Sequence, residues 1–207
     1  MFGLTKKELK VLKKLNTPKK IQNFLNKIPI NFEPNGDTCM SPRMVLKTNI
    51  AHCIEGAMLA ALAFRVNGRK PLLVDLTATR KDFDHVLCVF KEDGFLGAIT
   101  KTNHGVLRYR EPIYKSVREL VMSFFHEYFM DNGKKTLRSY TKPIDISKFD
   151  KYNWMTSEKD VWEIPEELVK AKHYKILTKK QIRKLRKADK IEIEIGKVTE
   201  WKKRKLK

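Results

Sequence analysis

The stretch from Cys53 to Gly68 constrains this chain most, because it carries the most apolar helical pattern in the sequence and reads as a buried central helix. Ile54, Ala57, Met58, Ala61 and Leu62 recur at helical spacing, while Gly56, Ala60 and Ala63 thicken the apolar face. Asn67-Gly68 supplies a left-handed stop. Cys53 falls in the first turn, where unpaired backbone N–H groups and the positive end of the helix dipole favour a thiolate over a thiol. A core helix also accepts cysteine there as a small apolar residue, so the thiol needs partners before it counts as a nucleophile.

With 207 residues, 42% of them hydrophobic, the chain is long enough for one domain with a proper core. Three cysteines, Cys39, Cys53 and Cys88, form neither a disulfide framework nor a paired zinc pattern, which reads as a reducing compartment. The basic N-terminus is not followed by an apolar leader segment, and no apolar run reaches the roughly 18 residues of a membrane span. The expectation is a soluble cytoplasmic protein with no membrane partner.

The net charge of +20 is concentrated at the ends: +6 over residues 1–20, +12 over 170–207 and only +2 between them. Such ends contact phosphates or are simply solvated, so nucleic acid enters as a partner of the termini rather than of the core.

Thr5 and Thr17-Pro18 predict helices over about 6–14 and 18–28, and Ser41 caps a short helix leading to Cys53. Residues 71–77 read as a strand, and 84–90 with 95–100 read as a hairpin turning at Glu92-Asp93-Gly94. Val106 to Tyr109 is a candidate further strand. Ser116 caps an amphipathic helix from Val117 to Phe129, with Leu120, Phe124 and Tyr128 on one side. Residues 139–169 read as an irregular surface wrap. Thr178 caps a basic helix to about Ala188, and Ile191, Ile193 and Ile195 alternate with Glu192 and Glu194 as a small strand before the tail from Trp201 to Lys207. The boundaries are an N-terminal helical segment (1–37), a core (38–138), the wrap (139–169) and a basic extension (170–207).

A cysteine at a helix start, a strand, and a hairpin opening on His85, thirty-two residues later, resembles the transglutaminase-like superfamily, which has the papain-like cysteine-protease fold. The resemblance spans about 38–129 and is carried by His52-Cys53-Ile54-Glu55-Gly56-Ala57, the Arg65 to Pro71 bend, and Asp84-His85 with Gly94 nine residues on. Ser41-Pro42-Arg43 and the 101–112 segment associate the chain with an uncharacterised microbial branch. The resemblance implies an α+β fold with the central helix packed on a small antiparallel sheet, Cys53 as nucleophile and His85 as proton shuttle. The family's orienting aspartate falls fifteen residues past the histidine, where this chain has Thr100. Asn103 ranks first for that role, since an amide oxygen can accept the imidazole N–H; Thr100 ranks second and Asp84 third. The oxyanion donors expected are the Cys53 N–H and one upstream side chain, Asn49 or Lys47.

The resulting reading is cysteine-dependent acyl transfer without cofactor or metal, most simply hydrolysis of a peptide or amide bond in a peptide or protein substrate. The alternatives are a scaffold that has lost catalysis and a nucleic-acid-associated protein. A metal site from His52, Cys53, His85 and Cys88 is the weakest reading, because residues three apart on a strand face opposite sides.

Overall fold

The computed structural model describes residues 1–202. Four helices come first: α1 (Lys6–Lys14), α2 (Pro18–Lys27), α3 (Pro42–Thr48) and α4 (Cys53–Val66). Thr5, Thr17 and Ser41 each accept a backbone N–H of the first turn of the helix they precede, as their position in the sequence predicts. Twelve of the fourteen α4 residues are buried, so the other elements assemble around it.

The strands β1 (Leu72–Thr77), β2 (His85–Glu92), β3 (Phe95–Ile99) and β4 (Arg110–Tyr114) form an antiparallel meander. Asp93 and Gly94 both take positive φ, which gives the β2–β3 hairpin a two-residue turn whose twist suits the strands. Helix α5 (Val117–Phe125) follows, and then β5 (Ser139–Thr141), β6 (Ile144–Asp145), a 3-10 helix (Ile146–Tyr152), α6 (Glu163–Lys170), β7 (His173–Lys175), α7 (Lys179–Arg183) and α8 (Lys190–Gly196). One sheet takes all seven strands in the order β4-β3-β2-β1-β5-β7, with β6 also paired to β1.

Alternation in β1–β3 divides the core into two layers. Leu73, Val86, Cys88, Phe90 and Ile99 pack with α4, α1, α2 and Trp154. Val74, Leu76, Leu87, Val89 and Ala98 pack against Leu120, Val121 and Phe124 of α5. The sheet is therefore apolar on both faces, which is why β2 reads as an almost unbroken hydrophobic run. The architecture is mixed helix and antiparallel sheet, and no helix among the described residues is long and apolar enough to cross a membrane.

Several expectations require correction. Val106 to Tyr109 is not a strand: Leu107 takes a left-handed φ of 58° with its N–H on Glu127, and pairing begins at Arg110. Helix α5 stops at Phe125, four residues short of the predicted end, and Phe129 instead bridges to Lys135. Residues 139–169 are not a surface wrap, since they supply two strands and the fully buried Trp154 and Ile164. The basic helix ends at Arg183 rather than near Ala188. The alternating isoleucines form α8 rather than a strand, because Asp189 and Glu192 close a capping box and no strand among the described residues pairs with them. Of the basic tail, Lys203 to Lys207 lies outside the described residues.

Candidate active site

Cys53 is the first residue of α4, and His52 is its N-cap. The extended backbone of His52 turns its ring back along the helix start, where Nε2 lies 2.9 Å from the Thr38 carbonyl oxygen, 3.3 Å from Glu55 Oε1 and 3.5 Å from Glu33 Oε1. Glu55, wholly buried one turn in, is the hub of this arrangement. Its carboxylate accepts the His52 N–H at 2.9 Å, the Met40 N–H at 2.9 Å and the Thr38 hydroxyl at 2.9 Å, so a loop otherwise rich in turn residues is tied to the start of α4. A buried charge is tolerated because donors surround it.

His85, the first residue of β2, is buried and brings a second imidazole to the Cys53 sulfur. Burial pushes the thiol up, but hydrogen bonds from His52 and His85 and the charge on the rings outweigh it and bring Cys53 down to about 5. Burial likewise pulls His52 down, yet the hydrogen bond and charge of Cys53, the Glu55 carboxylate and the Thr38 carbonyl raise it to about 9. Between those values the pair is held as thiolate and imidazolium. The other two thiols differ in kind. Cys39 and Cys88 are fully buried, and desolvation drives both far above the ordinary thiol range.

Cys53 opens into a cleft of about 580 Å³ that is also lined by His52, His85, Phe83, Leu107 and Met130. The loop before β2 is pinned at its rim. The Tyr128 hydroxyl donates to the Phe83 carbonyl, the Thr136 hydroxyl donates to Asp82, and the Ala78 N–H donates to Asp84 at 2.7 Å. Asp84 therefore braces its own loop rather than the imidazole, and burial raises its carboxyl.

The third role is not filled as ranked from sequence. Asn103 spends both ends of its amide on Trp201, donating to the carbonyl at 2.9 Å and accepting the N–H at 2.8 Å. Among the described residues His85 Nε2 is buried without a partner, and so is the Thr100 hydroxyl. What holds Thr100 is its backbone, which exchanges two hydrogen bonds with the Gln22 side chain at 2.9 and 3.0 Å. The next residue, Lys101, is also buried and caps the end of α2, donating to the Leu25 carbonyl at 3.0 Å and to that of Ile28; burial pulls it down to about 8. Gly56 leaves room for this lysine, since a Cβ there would stand 2.5 Å from Lys101 Cβ.

Asn49 is not an oxyanion donor in this geometry. It ends α3 in the left-handed conformation, exposed and off the cleft lining, and Lys47 is exposed beside it. The Cys53 N–H, at the open start of α4, is the donor that remains. Cys88 packs in the core away from the cleft lining, and among the described residues no three His, Cys, Asp or Glu side chains are grouped to hold a metal ion.

Sequence reasoning missed His52 as a thiol partner. The signal was present as histidine at the N-cap with glutamate three residues on, a capping arrangement that fixes the ring beside the next residue. Tyr128, read as core, also lines the cleft. In comparisons with known proteins, the chain matches no family model and no curated sequence.

Proposed function

We propose that the cleft performs cysteine-dependent acyl transfer on a transglutaminase-like, papain-like core, and that with water as acceptor it hydrolyses a peptide or amide bond. The reading is carried by the Cys53 thiol lying against two imidazoles at a helix start inside a cleft. The Cys53 thiolate attacks the acyl carbon, and the oxyanion forms against the Cys53 N–H. His85, entering the cycle as an imidazolium, gives its proton to the departing amine as the C–N bond breaks, leaving a neutral imidazole and a thioester. His85 then takes a proton from water, whose oxygen attacks the thioester carbon; the C–S bond breaks, the acid leaves and the thiolate returns. His52, whose ring is held by Thr38 and Glu55, stabilises the thiolate with its charge while the thiolate is present rather than shuttling protons.

The test is labelling of the full chain with a peptidyl vinyl sulfone, read by mass spectrometry. Labelling confined to Cys53 and lost in His85→Ala is the expected result. Slow labelling, alike in the native protein and in His85→Ala, supports an inactive scaffold instead, the reading favoured by the unpartnered His85 Nε2 and Thr100 hydroxyl.

A separate observation favours a polyanion contact. Lys134, Lys135, Arg138, Arg186 and Lys187 line a hollow of about 250 Å³ beside α7. Binding to single-stranded DNA or RNA that weakens steeply with salt is expected of it, and no binding at low salt would remove it.

A further inference from the structure

The segment after α8 crosses the 103–105 loop and pairs with it at one antiparallel bridge. His104 bridges antiparallel to Thr199, the Gly105 N–H donates to the Val198 carbonyl at 2.9 Å, and the Glu200 N–H donates to the Asn103 carbonyl at 2.9 Å. The Asn103 amide grips both main-chain groups of Trp201, and the Trp201 ring lies over the Lys101 ammonium at 4.4 Å from its centroid. Asn103, His104 and Gly196 line the same cleft as Cys53.

These are backbone contacts plus one aromatic slot, which is how an edge receives an extended peptide whatever most of its side chains are. The occupying segment is lightly held by its own side chains. Helix α8 buries none of its residues, and Ile191, Ile195 and Val198 are 70, 51 and 60% exposed. The Arg108–Glu200 ion pair that adds to it lies between two half-exposed side chains and is weak. Few buried contacts and an open rim are the properties of a segment that detaches locally without unfolding the domain.

We propose that residues 103–105 are a binding edge for an extended peptide with an aromatic side chain, and that the chain's own Gly196–Trp201 segment occupies it. The edge names a substrate class for the proposed acyl transfer, and it rests on that reading only in calling the peptide a substrate. An incoming peptide takes the Gly105 N–H, the Asn103 carbonyl and the Asn103 amide, and sets its aromatic ring over Lys101. The internal segment competes at the high effective concentration of a tethered ligand, so the free edge is a minor state until the segment is displaced.

The experiment uses the full chain carrying Cys53→Ala, so that no covalent chemistry intervenes. Glu200→Pro removes the N–H that pairs with the Asn103 carbonyl, and Trp201→Ala empties the aromatic slot; neither residue touches the thiol. A fluorescein-labelled peptide copying residues 196–202 is titrated by anisotropy against each variant and against the unreleased chain, alongside a peptide with alanine at the tryptophan position. Binding at least tenfold tighter to the released variants, reduced for the alanine peptide and accompanied by faster hydrogen exchange at the Gly105 amide, is expected. Equal affinity for released and unreleased chains, or no binding to either released variant, overturns the proposal. Because Cys53 is absent, this outcome is independent of vinyl sulfone labelling: peptide binding with an inert Cys53 keeps the edge and removes the catalytic reading, and the converse removes only the edge.

Discussion

Replacing His52 with alanine tests the least anticipated part of the site. The shift of Cys53 from an ordinary 9.0 to about 5 corresponds to about 5 kcal/mol of preference for the thiolate, shared between two imidazoles and opposed by burial. Losing one ring should raise the midpoint by roughly one to two units. The assay is iodoacetamide alkylation of Cys53 across pH 4–10, followed by mass spectrometry. Its informative quantity is the midpoint and not the rate at one pH. At pH 6 a thiol of about 5 is some 900-fold richer in thiolate than one of 9.0, but each thiolate is roughly 40- to 100-fold less nucleophilic, so the net advantage is only about 10- to 20-fold and vanishes near pH 7. The expected wild-type profile is therefore flat from about pH 6 to 9 while a free thiol climbs roughly tenfold per unit over most of that range. In His52→Ala the midpoint should move to about pH 6–7 and the plateau should begin near pH 7–8, and His85→Ala should show a comparable displacement. A wild-type midpoint near 9, or one that moves by less than half a unit in His52→Ala while His85→Ala abolishes the whole shift, refutes the two-imidazole account.

Three further outcomes follow from the same contacts. Gly56→Ala forces a Cβ to within 2.5 Å of Lys101 Cβ, an atom next to the backbone that cannot swing aside, so urea unfolding should show a loss of about 1–3 kcal/mol; an unchanged midpoint would mean that the 100–101 segment is not held against α4. Glu55→Ala leaves the His52 and Met40 N–H groups and the Thr38 hydroxyl without their buried acceptor and should cost about 3–5 kcal/mol, together with a fall of His52 toward its ordinary range, read by NMR titration of the ring. For stability against pH, Cys53 is depressed on folding, so its contribution is complete above 9.0 and is lost as pH falls through about 5. His52 is raised, so its contribution is complete below 6.5 and is lost as pH rises through about 9. The two slopes oppose each other between 6.5 and 9, and only the thiolate term acts from 6.5 down to 5, where the advantage of wild type over Cys53→Ala should shrink by about 2 kcal/mol.

The elements that could be read from the chain were those whose signal is local. Thr5, Thr17-Pro18 and Ser41 announce helix starts through side chains that bond within one turn, and Asp93-Gly94 sets a hairpin because both residues accept positive φ. What failed depended on distant partners. Ser139 to Thr141 has too little length to show a period, and it becomes a strand because β1 offers a free edge on one side and β7 pairs on the other. The isoleucines at 191, 193 and 195 carry the period of a strand, but among the described residues no edge pairs with them, and the Asp189–Glu192 box decides in favour of a helix.

The site divides along the same line. The placement of Cys53 at a helix start and of His85 at a strand start was legible because local pattern defines both positions, and the fold brings the two ends to one cleft. The third partner was sought along the sequence at the family's spacing, where Thr100 lacks a carboxylate, and Asn103 was preferred because its amide has the right chemistry. That chemistry is real but is used elsewhere: an amide that can accept an imidazole N–H can equally bridge a peptide's N–H and carbonyl, and Trp201, ninety-eight residues away, takes both. The ring that is oriented by carboxylate and carbonyl is His52, not His85. Relative to the pattern that the resemblance implies, the proposed site is redistributed: no acid meets His85 at the expected position, while Glu55 steadies a second imidazole beside the thiol. In the proposed cycle a proton shuttle without a partner at Nε2 lacks an orienting acceptor, whereas a thiolate already formed needs no base to create it. On the proposed acyl-transfer reading, this arrangement places the demand for His85 on leaving-group protonation and deacylation, not on activation of the nucleophile.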